Sequence, residues 1–490
     1  MRPRRGAIQL DRTRALEAIA DVVGPSGVVS GADAERFLVD ERRLYRGEAA
    51  LIVQPASVDE CARILAICHE AGLGVVPQGG NTGYCGGATP FDAERHVLVS
   101  MSRLGRIRDV DAVGFTMTAE AGVVLADAQA AAAEHGLLFP LSMGSEGSCQ
   151  IGGNISTNAG GLAVLRYGTM RDLVLGLEVV LPNGQVLSEL KGLRKDNTGY
   201  DLKSLFVGAE GTLGLVTAAV LKLFPMPTAH ETAWVAVSSP AAAGALLGRA
   251  RRESGDRVVS AEYVSRASLE LVLRHVADAR DPLDAAHPHY LLLELASSDA
   301  DGTLRDALER VLTHGIEAGE IIDGVIAESG PQRDALWALR ERVPEAERVD
   351  GSVKHDVSVR ISDVPRFLDL AAAELPRVAP HRVSVYGHIG DGNLHYNLLP
   401  PPGSTIGEFR ERSADALSRA VHDLAARLGG SFSAEHGVGV LKAVELERYR
   451  SPEALALMRA VKRALDPKGI MNPGKVLRGA AAAGKTELNE

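Results

Sequence analysis

Gly74-Val75-Val76-Pro77-Gln78-Gly79-Gly80-Asn81-Thr82-Gly83, with Gly86 and Gly87 close behind, is the stretch on which the fold turns. It reads as a short β run that empties into a glycine loop. Working outward, LIVQP (Leu51 to Pro55) is a second β run, and SVDECARILAICHEAG between the two is a helix. Ser57 caps that helix with Glu60 three residues on, a capping-box spacing. Cys61, Ile64, Leu65 and Cys68 then share one helical face. Further along, FTMTAEAG alternates like a strand, and VLADAQAAAAEHG is a helix closed by Gly136. Short strands alternating with Ala-rich helices indicate a mixed α+β domain.

Glycine at this density lets successive backbone N–H groups converge on an anion, with Asn81 and Thr82 adding side-chain hydrogen bonds. Two further clusters share that chemistry: Gly152-Gly153-Asn154-Ile155-Ser156-Thr157-Asn158-Ala159-Gly160-Gly161 and Gly208-Ala209-Glu210-Gly211-Thr212-Leu213-Gly214. A single such loop is usually a tight turn. Three of them between Gly79 and Gly214 favour one large phosphate-containing ligand. No complete G-x-G-x-x-G occurs, so an NAD-type unit is not supported. Gly479, Gly484, Lys485 and Thr486 match a P-loop in form, but no strand precedes them and four residues follow, so the match is read as chance.

QGGNTG, IGGNISTNAGG, YGTMRDLVLGLEVVLPNG and FVGAEGTLGLVT together resemble the vanillyl-alcohol-oxidase/p-cresol-methylhydroxylase flavoprotein superfamily, over about Tyr45 to Phe224. The resemblance implies that Pro77, Gly79, Gly80, Asn81, Thr82 and Gly83, with Gly153, Asn154, Thr157, Asn158, Gly160 and Gly161, hold an FAD pyrophosphate. It implies that Glu210, Gly211 and Val216 lie near the adenine end. Several members tether flavin through a histidine of the first loop. Here Asn81 to Cys85 contains none, so the expected FAD is non-covalent.

The chain has 490 residues, enough for about three structural units. Its 46% hydrophobic and 24% charged residues are ordinary globular values. A net charge of -10, from 53 basic against 63 acidic residues, argues against general nucleic-acid binding. No segment has the length and apolarity of a membrane span. The basic start MRPRRGAIQLDRTR lacks an apolar core and does not read as a secretory signal. Cys61, Cys68, Cys85 and Cys149 form no CxxC pair and read as buried thiols in a reducing compartment. The expected location is a bacterial-type cytoplasm, with membrane association only through an electron acceptor.

After FPMPTAH the texture changes. WVAVS and YLLLELAS read as strands and TLRDALERVLTHG as a helix, so a second domain is placed at about 228–430. The tail holds a helix capped by Ser451, with Pro452 in its first turn, Leu457, Val461 and Leu465 on one face, and Pro467 as its stop. Five of the fourteen histidines lie between His381 and His436. Asp391-Gly392 between β runs predicts a hairpin turn. A two-residue turn there, or a four-residue loop from Gly390 to Asn393, sets His388 directly opposite His395, with Tyr386 and Asn397 on the same face. Opposed Cβ atoms about 5 Å apart let two imidazoles reach one metal ion. Glu435-His436 follows in a Gly-flanked segment. Two His and one carboxylate make a zinc-type catalytic set. Neighbours in extended chain point oppositely, so one of Glu435 and His436 could bind metal while the other faces substrate as a base.

GHIGDGNLHYN, SAEHGVG and Asn472-Pro473-Gly474-Lys475 resemble the C-terminal half of FAD-dependent D-2-hydroxyacid dehydrogenases. The resemblance implies His388, His395 and Glu435 as ligands of a divalent metal, zinc for preference. It implies His436 as the catalytic base, Asn397 as a substrate contact, and Asn472 returning to the flavin. LRE at Arg340 and K-x-D-x-S from Lys354 are similar to the D-2-hydroxyglutarate branch, in which the Arg and Lys hold substrate carboxylates. Pro344 departs from that branch, standing where a hydroxyl residue is expected, so D-lactate and D-malate stay open. The expected architecture is an N-terminal helical segment (1–44), a two-part FAD-binding domain (45–227), an α+β substrate domain with an antiparallel sheet (228–430), and a C-terminal segment (431–490) that completes the active site. The expected partners are a small 2-hydroxyacid and a separate electron acceptor, such as an electron-transfer flavoprotein or a quinone. A homodimer is left open. D-lactate or glycolate oxidation is the nearest alternative; a metallohydrolase built on the same His/His/Glu set is the rival from another class.

Overall fold

The computed structural model describes residues 11–299 and 302–478. The basic N-terminal decapeptide and the P-loop-like Gly479 to Thr486 lie outside the described residues. The chain divides into two compact units. One comprises the chain up to Gly160, Thr169–Phe224 and the tail from Glu435; the other comprises Gly161–Gly168 and Pro225–Ala434. The tail therefore groups with the glycine loops, and the short excursion Gly161–Gly168 groups with the second unit.

In the first unit, Glu48–Val53, Phe91–Ser100 and Gly74–Gln78 lie side by side in parallel, and Val28–Val29 adds an antiparallel edge. Helix Val58–Ala71 makes the crossover between Glu48–Val53 and Gly74–Gln78. Its start follows the predicted chemistry: Ser57 accepts from the Glu60 N–H, and Glu60 accepts from the Ala56 N–H. Cys61, Ile64, Leu65 and Cys68 are all fully buried. The first glycine loop thus leaves the carboxyl end of a parallel strand, where open α/β sheets bind ligands. A second, antiparallel sheet has the order Ile107–Asp111, Thr116–Glu120, Leu215–Lys222, Val174–Val180, Val186–Glu189.

The tail helix, Pro452–Leu465, has the expected Ser451 cap. Its buried side differs from the expectation: Leu455 is buried, whereas Leu457 is 66% exposed. Past this helix the chain runs beside Gly74–Gln78, where Val75 donates to the Ile470 carbonyl and accepts from the Asn472 N–H, both at 2.7 Å.

The second unit is built on a seven-stranded antiparallel sheet. The order is Ile321–Ile326, Ala229–Val237, His289–Ser297, Val258–Ser265, Arg382–His388, Asn393–Leu399, Asp356–Ser358. Both faces are covered, so its central strands read as near-continuous apolar runs. Ala233, Val235, Leu291 and Leu293 pack on one face, and Trp234, Ala236, Tyr290 and Leu292 on the other. Helices Arg266–His275, Gly330–Glu341 and Val343–Asp350 contribute to the second of these layers. Pro344 does more than end the Arg340 helix. That helix stops at Glu341, and Pro344 occupies the first turn of the next one, where a missing N–H costs nothing.

Candidate active site

Within the first unit the three glycine loops meet. A Cβ on Gly80 would lie 2.0 Å from the Ser148 carbonyl oxygen, so only glycine fits there. Gly79 lies against Gln150 and the Gly153 nitrogen, and Gly211 against Pro77. Gly208 and Glu210 donate their N–H groups to Ile155 and Ser156. Gly83 and Gly153 have open space where a side chain would stand, and Gln150 Oε1 is buried without a hydrogen-bond partner. An open, glycine-lined cradle with an orphaned acceptor fits a large polar cofactor.

Several side chains expected on that cofactor also hold the cradle together. Asn81 donates to the carbonyls of Arg36 and Val39. Asn158 accepts from the Arg171 N–H, and Thr157 donates to Gly153 O. Asn154 is buried on helix Ile151–Ser156, and Val216 is buried in the second sheet. Thr82 is half-buried, Gly160 ends the second loop, and Gly161 opens the excursion that groups with the second unit. Asn472 donates to the carbonyls of Gly87 at 2.9 Å and Glu210 at 2.7 Å, tying the first loop to the third. Glu210 accepts from the N–H groups of Val438 and Gly439, each at 2.7 Å. The carboxylate thereby clamps the segment that carries His436. The His436 ring stands edge-on to Tyr84, with centroids 4.9 Å apart, and the Arg42 guanidinium lies 4.0 Å from the Tyr84 centroid.

In the second unit the hairpin register differs from the expectation. Tyr386 pairs with His395 and Ser384 with Asn397, a shift of two residues from the direct His388/His395 opposition. The turn is Ile389-Gly390-Asp391-Gly392, closed by the Gly392 N–H onto His388 O at 3.1 Å. Gly392 has φ +79°, and its Cβ would collide with the Val359 carbonyl, so the four-residue turn is built in. A two-residue slip preserves the face. His388 and His395 remain neighbours, with ring centroids 5.8 Å apart and a ring nitrogen of each within 4.8 Å of the other. A carboxylate oxygen of Asp356, which pairs with His395, lies equally close to that ring.

Sequence reasoning missed two carboxylates that organise this face. Glu262, 1% exposed on the central strand, pairs in register with His388 and lies 2.7 Å from its Nδ1. Its other oxygen accepts from Arg340 Nε at 2.6 Å. Burial opposes ionisation of Glu262, but His388 and Arg340 outweigh it and hold the pKa well below the usual carboxylate range. Arg340 also lies over Tyr386, 4.7 Å from its centroid. Glu347, fully buried, engages both Lys354 and Asn397. Asn397 Oδ1 in turn accepts from the His355 N–H. Lys354 stands two residues before strand Asp356–Ser358. The missed signal was a lone acidic residue inside an apolar strand, as in VVSAEYVS, which must carry a buried partner.

Residues 226–476 match the model of the FAD-linked oxidases' C-terminal domain, and residues 49–188 match an FAD-binding domain. The chain belongs to the FAD-linked oxidases. This FAD-linked oxidase is 38% identical over 459 residues to the mitochondrial D-2-hydroxyglutarate dehydrogenase of Arabidopsis thaliana, covering 93% of this chain and 80% of that protein. It is 38% identical to the D-2-hydroxyglutarate dehydrogenase of Xanthomonas citri pv. viticola, covering 91% of this chain and 93% of the relative. Among solved structures, p-cresol methylhydroxylase with substrate bound shares the fold, with a TM-score of 0.73 at 17% identity, over 96% of this chain and 98% of that one. These matches agree with the two resemblances drawn from QGGNTG and GHIGDGNLHYN. Among the described residues, no helix of this FAD-linked oxidase is long and apolar enough to cross a membrane.

Proposed function

We propose that this protein oxidises a D-2-hydroxyacid to the 2-oxo acid, and D-2-hydroxyglutarate is the acid that its relatives' names suggest. The observation that carries the reading is one sheet face. It bears His388, held through Nδ1 by Glu262, beside His395 and the cationic Arg340. A histidine that gives Nδ1–H to a carboxylate presents Nε2 as a ligand. His388 and His395 are the first two ligands of a divalent metal, with Glu435 the third. In support, the Ala434 N–H donates to Asp356 O, Asp356 pairs with His395, and Glu435 is the next residue along the chain.

His436 takes the substrate hydroxyl proton. Its packing against Tyr84, in the first glycine loop, supports a place beside the flavin. Arg340 and Lys354 orient the acid, converting binding into proximity, and Asn397 completes the polar lining. When bound, FAD supplies the two-electron acceptor for the Cα hydride, and the metal, zinc for preference, supplies Lewis-acid polarisation. The FAD is non-covalent, and a separate carrier, an electron-transfer flavoprotein or a quinone, takes the electrons onward. Four buried cysteines, in no disulfide among the described residues, support a reducing compartment such as the cytoplasm.

The test is a series of D- and L-2-hydroxyacids with an artificial electron acceptor, following flavin absorbance. D-acids should bleach the flavin, and His436→Ala should retain FAD yet lose substrate-dependent bleaching. Equal bleaching in that variant would remove His436 from the role of base. Activity that survives thorough chelation would remove the metal.

A further inference from the structure

Glu347 has no exposed surface and lies on helix Val343–Asp350, one turn beyond Pro344. Its two oxygens lie 3.0 and 2.8 Å from Asn397 Nδ2, and Oε2 lies 3.3 Å from Lys354 Nζ. Asn397 Nδ2 is also 3.5 Å from the Tyr386 hydroxyl, and Tyr386 carries Arg340 on its ring. A buried carboxylate persists only when paired. Here the paired groups are two of those assigned to the substrate. Lys354 is consequently matched in charge before any acid arrives.

The consequence differs between two kinds of substrate. A hydroxyacid with one carboxylate needs one cationic anchor, which Arg340 supplies through its terminal guanidinium nitrogens, since Glu262 engages its Nε. A second carboxylate on the substrate would have to share Lys354 with Glu347 and would meet a like charge there. Like-charge juxtaposition is a standard means of rejecting a ligand. Pro344, three residues earlier on the same helix, offers no side-chain donor to offset it. We infer that Glu347 is a specificity-determining residue that turns the site towards D-2-hydroxyacids with an uncharged side chain and away from those with a second carboxylate. The inference rests on the hydroxyacid reading above and alters only the far end of the substrate.

The matched pair of probes is D-2-hydroxyglutarate and D-2-hydroxypentanoate, equal in chain length and differing in the distal carboxylate. The ratio of their kcat/KM values is measured for the FAD-loaded wild type, Glu347→Gln and Glu347→Leu. The wild type should favour the monocarboxylic acid. Either variant should raise the dicarboxylate ratio by about tenfold or more, mainly through KM. The leucine variant also reads out if the glutamine one fails to fold. A wild-type ratio in favour of the dicarboxylate overturns the inference. So does an unchanged ratio in flavin-loaded variants. Wild-type flavin reduced by neither acid overturns the hydroxyacid reading itself, and the inference with it.

Discussion

Glu262 and Glu294 stand on neighbouring strands of the same sheet, each nearly sealed from solvent, and one helix serves both. Arg333, Trp337 and Arg340 are spaced along one face of Gly330–Glu341. At Glu294 the donors are Arg333 at 2.8 and 3.0 Å, Trp337 Nε1 at 2.7 Å and Thr232 at 2.8 Å. His230 Nδ1 lies 3.4 Å from the same carboxylate, and none of these groups is assigned to substrate or metal. At Glu262 the donors are Arg340, His388 and the Ser260 hydroxyl, and the first two each have a further face. The same buried-acid chemistry thus serves as a brace at one end of the helix and, at the other, supports the groups proposed for substrate and metal.

The largest expected difference is in stability. Glu262→Ala strands a guanidinium only 6% exposed, so the loss should be about 3–5 kcal/mol. Arg333 is 35% exposed and can turn to water, so Glu294→Ala should lose about 1–3 kcal/mol. Denaturant unfolding of both variants checks the order, and the reverse order breaks the contrast. Next is retention of the proposed metal. Glu262→Gln should weaken it about 10- to 100-fold in competition with a chelator, while Glu294→Gln leaves it unchanged. Equal retention in both would make Glu262 a brace as well. The smallest effect is in acid. Burial pushes the Glu294 carboxyl up, but His230, Arg333 and Trp337 overcome this and hold its pKa at about 2. A depressed carboxyl pKa stabilises the fold above the unfolded value and loses that contribution as pH falls through the folded value. The stability gap between wild type and Glu294→Gln should therefore be full at neutral pH and close between about pH 4 and pH 2. A gap that stays constant over that range shows that ionisation is not what holds Glu294.

Much of the fold was legible in local pattern. The Ser57 cap, the Cys61–Cys68 face and the strands around WVAVS and YLLLELAS depend on neighbours within a few residues. The hairpin was half legible. Period-two alternation put His388, His395, Tyr386 and Asn397 on one face, but the register depended on Gly392 passing under the Val359 carbonyl, 33 residues upstream. Leu457 shows the opposite failure: four-residue spacing marked an apolar face on a helix whose buried side is set by Leu455.

Sequence alone determined the glycine loops, the lack of a histidine in the first of them, and the family to which both halves belong. Those depend on residue type and spacing, which covalent geometry carries directly. Only the tertiary structure decided what each polar side chain is spent on. Asn81, Asn158, Asn472 and Glu210 turn to backbone, Arg340 to Glu262, and Lys354 and Asn397 to Glu347. A buried polar atom takes whichever complementary partner the packing brings within 3 Å or so. That partner sits up to hundreds of residues away along the chain, beyond the reach of any local pattern.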